Sequence, residues 1–65
     1  MTMLEYCKMI LQKVSFDPDL FRTELLKAFR ELIVDEITVL KKWCVETFGL
    51  NYCRLAVPEY IFDTN

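Results

Sequence analysis

Three cysteines and no histidine bound the chemistry open to this chain of 65 residues. A thiolate can act as a nucleophile or a metal ligand, but it needs a base beside it or further ligands around the ion. Cys7, Cys44 and Cys53 show no C-x-x-C spacing, and a site built on all three would still need a carboxylate or a partner chain as fourth ligand. They read as reduced thiols used as small apolar side chains, with no metal and no cofactor expected. Asp17 and Asp19 are the nearest thing to a carboxylate pair, and a helix start explains both. Lys41, Lys42 and Trp43 place two cations beside a ring that can stack on a base, the one local pattern suited to nucleic acid. Against it stand Glu36 and Glu46 on the same helix and a net charge of −2 with a pI of about 4.9. No nucleophile–base pair or carboxylate dyad emerges, so no enzymatic activity is expected.

The elements that must carry these residues announce themselves most clearly at Ser15–Ile33. Asp17 reads as an N-cap and Pro18 as the first helical residue, where its missing N–H costs nothing. Phe16 and Phe21 have the spacing of a hydrophobic staple. Before them, Thr2 and Glu5 stand at capping-box spacing, and Met3, Leu4, Cys7, Ile10, Leu11 and Val14 fall on one helical face. After them, Asp35 can cap a third helix that ends at Gly49, the single glycine. The expected fold is all-α, a small three-helix bundle with helices at about 2–14, 18–33 and 36–48. Residues 1–49 form the bundle and 50–65 an apolar C-terminal arm, with room for one short helical turn before an extended stretch, because Pro58 turns Val57 away from helix. Whether that arm packs on its own bundle or on a partner subunit is left open by the pattern.

The segments Met3-Leu4-Glu5-Tyr6-Cys7-Lys8 and Lys13-Val14-Ser15-Phe16-Asp17-Pro18 carry a likeness, with Leu40-Lys41-Lys42-Trp43-Cys44 through Phe48-Gly49 sharing in it more loosely. On these the chain resembles short uncharacterised helical proteins of Bacteroidetes-type bacteria. The resemblance spans most of the first 49 residues and not the tail. It implies a small helical bacterial protein and transfers no catalytic or ligand residue.

Apolar residues make up 54% of the chain and mean hydropathy is +0.20, more than one small core readily hides. Self-association, most simply a twofold dimer, is the economical outlet. The residues off the central stripes, Leu26, Ile33, Val39 and Trp43, and the tail residues Tyr60, Ile61 and Phe62 are the candidate protein-interaction surface. The expected function is therefore a non-enzymatic homo-oligomerising adaptor or scaffold. Its alternative is a nucleic-acid-binding regulator acting through Lys41, Lys42 and Trp43. With no basic leader and no apolar run of about 20 residues, neither export nor membrane insertion is expected, and the default compartment is the cytoplasm.

Overall fold

In the computed structural model, which describes residues 1–60 and 62, the chain forms four helices and, among those residues, no strand. They are α1 (Met3–Val14), α2 (Pro18–Glu31), α3 (Val34–Phe48) and α4 (Leu50–Ala56). Ile61 lies outside the described residues.

The first two helices begin where their caps place them. Thr2 Oγ1 accepts from the Glu5 N–H at 3.1 Å, and the Glu5 carboxylate accepts from the Thr2 N–H at 3.3 Å. Asp17 Oδ1 accepts from the N–H groups of Asp19 at 2.9 Å and Leu20 at 3.4 Å, a cap worth about 1 kcal/mol. The staple does not form. Phe21 is fully buried, but Phe16 is 79% exposed, so core packing and not a local clasp fixes Phe21.

Three boundaries differ from expectation. The second helix ends at Glu31, with Leu32 extended behind it and Leu32 N–H bonded back to the Ala28 carbonyl. The third starts at Val34, because the side chain that satisfies an orphan donor is Glu36, which accepts from the Ile33 N–H at 3.2 Å; Asp35 sits inside the first turn and is not the cap. The bundle has four helices and not three, since Gly49 ends α3 and begins α4 in one residue. At φ 91° it adopts the left-handed backbone that a side chain would strain. Its N–H closes α3 on the Val45 carbonyl, and its own carbonyl accepts from Cys53 to open α4.

The helices pack as a closed circuit in which α2 touches α1 and α4, while α3 touches the same two from the other side. The broad apolar face of α2 serves both neighbours: Phe21, Leu25 and Ala28 are buried. Around them the core takes Cys7 and Leu11 from α1, Leu40 and Cys44 from α3, and Cys53 and Ala56 from α4. Val57 and Phe62, beyond α4, are buried in the same cluster, so the C-terminal arm packs on its own bundle. An aromatic group centres on Phe21, with Phe48 at 5.2 Å and Tyr52 at 5.1 Å, both edge-to-face. Tyr52 keeps its hydroxyl satisfied by donating to the Ser15 carbonyl at 2.5 Å, which ties α4 to the α1–α2 turn. The surface of 4400 Å² equals what a closed monomer of 7.8 kDa exposes, roughly 4,400 Å² by the usual scaling. The core is complete within one chain.

Candidate interaction surfaces

The thiols are built into the interior. Burial pushes Cys44 up to about 12, with Cys53 beside it adding to the rise. Burial also raises Cys53, and it raises Cys7 with help from the carboxylates of Glu31, Glu36 and Glu24. A group raised in this way adds stability below its unfolded value of 9.0, and that stability is lost as pH climbs toward about 12. In the folded chain at pH 8, a disulfide reagent is expected to label Cys44 at less than about a hundredth of its rate in the urea-unfolded chain, because the thiolate is the reacting form. Equal rates in the two states would show that Cys44 is neither buried nor held neutral. Among the described residues, no group of His, Cys, Asp and Glu comes together that could hold a metal ion.

Lys41, Lys42 and Trp43 do not share a surface. Consecutive helical residues are turned by about 100°, and here the three part company. Lys41 Nζ lies 5.6 Å from the Phe29 ring and 5.6 Å from the Tyr60 ring, on the side of α2 and the tail. Lys42 faces solvent. Trp43 turns toward α1, where Lys8 Nζ stands 5.6 Å over its ring, and it meets the Phe48 ring edge-to-face at 5.4 Å while packing against the core.

Of the tail residues singled out from sequence, Tyr60 and Phe62 are engaged within the chain. Glu59 takes both guanidinium nitrogens of Arg22, and that cation holds the Glu59 carboxyl below the usual carboxylate range. Tyr60 packs on Phe29 at 4.8 Å, and Phe62 is only 4% exposed. The tail therefore lies along α2 and leaves Val39 uncovered at 48% exposure, while Trp43 is half-buried by Phe48 and Lys8.

Two places stay open. At the end where α1 begins, α2 finishes and α3 starts, Ile33 is 65% exposed and Val34 76% exposed. Tyr6, itself exposed, lines a groove of about 190 Å³ with Lys27 and Glu31, which places the start of α1 at this same end. Carboxylates gather there around Lys27: Glu5 in the first turn of α1, Glu31 at the close of α2, Asp35 and Glu36 in the first turn of α3. The second place is a shallow depression of about 330 Å³ on the outer side of α2, lined by Leu26, Phe29, Arg30, Glu59 and Tyr60. It continues into another, of about 380 Å³, lined by Thr23, Leu26, Lys27 and Arg30. Here the balance is cationic, because Glu59 is taken by Arg22 while Arg30 has no ion-pair partner among the described residues.

Leu26 and Tyr60 thus meet at one depression, Ile33 belongs to the corner, and Val39 and Trp43 line neither. Val34 was missed from sequence because it was read as part of a break. A pair of adjacent apolar residues in a turn lacking Gly and Pro is the signal that marks it.

No helix among the described residues is long and apolar enough to cross a membrane. No family model, curated protein or solved structure matches the chain.

Proposed function

We propose that this chain is a small non-enzymatic protein-interaction module that self-associates through exposed apolar surface. The supporting observation is the Ile33–Val34 corner, two adjacent apolar residues exposed by 65% and 76% on a molecule whose core is already closed. Single exposed apolar residues are ordinary; two adjacent ones, at the end of the bundle where exposed Met3 and Tyr6 of α1 also lie, are the kind of surface that marks contacts. The buried thiols, raised well above neutrality, suit packing and not chemistry, and three free cysteines fit a reducing compartment, the cytoplasm. Because the core does not need a second chain, association is a reversible equilibrium between folded copies and not coupled to folding. A twofold dimer is its simplest form.

Sedimentation equilibrium and light scattering across a micromolar concentration series are the direct test. The expected result is a mass that rises above 7.8 kDa with concentration while far-UV circular dichroism stays unchanged. A mass that stays at one chain up to high micromolar concentration removes the reading.

A further inference from the structure

Gly49 joins two helices with no loop between them, ending α3 and opening α4 at φ 91° and ψ 147°. A side chain is strained at those angles, yet a Cβ there would meet nothing within 4 Å, so the backbone conformation alone restricts the position. The junction already carries helical hydrogen bonds on both sides, from the Gly49 N–H to the Val45 carbonyl and from the Cys53 N–H to the Gly49 carbonyl. Between them, the N–H groups of Leu50, Asn51 and Tyr52 start α4 without a side-chain cap. Their partners in a continuous helix are the carbonyls of Glu46, Thr47 and Phe48, which close α3. Turning Gly49 to helical angles pairs these groups, and glycine adopts negative φ as readily as positive.

The fused helix, Val34 to Ala56, is about 35 Å long at the α-helical rise, while the molecule measures 28 Å along its longest axis. It carries α4 off α2 and takes Cys53, Ala56 and Val57 out of their own core. The place left beside Phe21 fits one occupant by construction, the same segment of another copy. We propose that Gly49 is a hinge through which two copies of the chain exchange α4 and the tail, each filling the place that the other has vacated. The core contacts re-form between the chains, as do the ties from Tyr52 to Ser15 and from Arg22 to Glu59, and the junction gains its missing helix bonds. A single chain closes on itself at low concentration because its own segment is tethered beside the gap. This route goes beyond association at the Ile33–Val34 corner, which it does not use. It requires each chain to open, so its pairs form and part slowly.

Two experiments on the full chain test it, both read by native mass spectrometry after refolding from urea. Alanine disfavours the present angles of Gly49 and favours the fused helix, so Gly49→Ala is expected to pair at least about tenfold more tightly than the parent chain. In that background Arg22→Glu and Glu59→Arg are then made separately and mixed. Each variant alone sets like charges against one another at part-exposed positions. An exchanged mixed pair sets the glutamate introduced at position 22 against the arginine introduced at position 59, and Arg22 of one chain against Glu59 of the other. Mixed pairs are therefore expected to exceed same-variant pairs by at least about fivefold, where chance gives equal amounts. A Gly49→Ala chain that keeps its helical circular dichroism but pairs no better than the parent overturns the exchange. So do mixed pairs at the chance ratio, and in that case association through the corner stands. Pairing by Gly49→Ala beside a parent chain that stays monomeric upholds the exchange and removes the corner. If Gly49→Ala loses its helical signal, the charge variants are mixed in the parent background, where the absence of excess mixed pairs overturns the proposal.

Discussion

A chain ended at Gly49 is expected to lose its helical circular dichroism and its cooperative thermal transition. The removed segment supplies Cys53, Ala56, Val57 and Phe62 to the core and Tyr52 to the aromatic group around Phe21. Burying one Val, Leu or Phe side chain is worth about 1.5–3 kcal/mol, so Val57 and Phe62 with a share of Tyr52 carry roughly 4–7 kcal/mol. A domain of this length has a net stability of roughly 3–10 kcal/mol, and the loss is therefore comparable to the whole. The truncated chain would also expose the α2 residues Phe21 and Leu25, now fully buried, to solvent. Retention of a cooperative melt by residues 1–49 would show instead that they are a domain by themselves and the rest an appendage. That is the division drawn from sequence at Gly49.

Phe21→Ala is expected to lower stability by about 3–5 kcal/mol, read as a fall in the urea midpoint with little change in slope. The ring is fully buried, and two other rings, Phe48 and Tyr52, stand edge-on to it. Removing it opens a cavity where α2, α3 and α4 meet, and helices held by backbone hydrogen bonds on both sides cannot collapse into that space. A cost below about 1 kcal/mol, the level typical of a surface change, would mean that the aromatic group is not the centre of the core.

How much of this was legible in the sequence depended on whether a side chain or the backbone set the feature. Thr2 with Glu5 and Asp17 with Pro18 are caps written in residue type, and α1 and α2 begin where those residues place them. The buried pair Cys7 and Leu11 of α1 followed from helical period. Helix α4 was legible only as one short helical turn in the arm, because it spans seven residues and its start has no side-chain cap hydrogen bond, so neither period nor cap marks its extent. Gly49 was read as an end when it is an end and a beginning. The start of α3 was misjudged by looking for an oxygen at the cap position, whereas Glu36 three residues into the helix reaches back to Ile33. The candidate surface was half legible: Leu26 and Ile33 stand off the central stripes in any helical projection. Their separation into two places needed the fold, because it depends on which end α1 starts at and on where the tail lies along α2. Tyr60 and Phe62 could be recognised as too apolar for solvent, but nothing in their order said that α2 would receive them.

The two long-range polar ties, Tyr52 to Ser15 and Arg22 to Glu59, each join residues 37 positions apart. Making the first closes a loop of that length, and its entropic cost is then already met for the second, which forms at the high local concentration of a tethered partner. The converse holds on opening. Breaking either tie alone leaves its groups held close enough to re-form it, so the segment from α4 to the tail does not peel away stepwise but opens as one unit, together with the core it completes. Amide hydrogens along Cys53–Tyr60 should accordingly share a common opening free energy and not a gradient that falls toward the C-terminus.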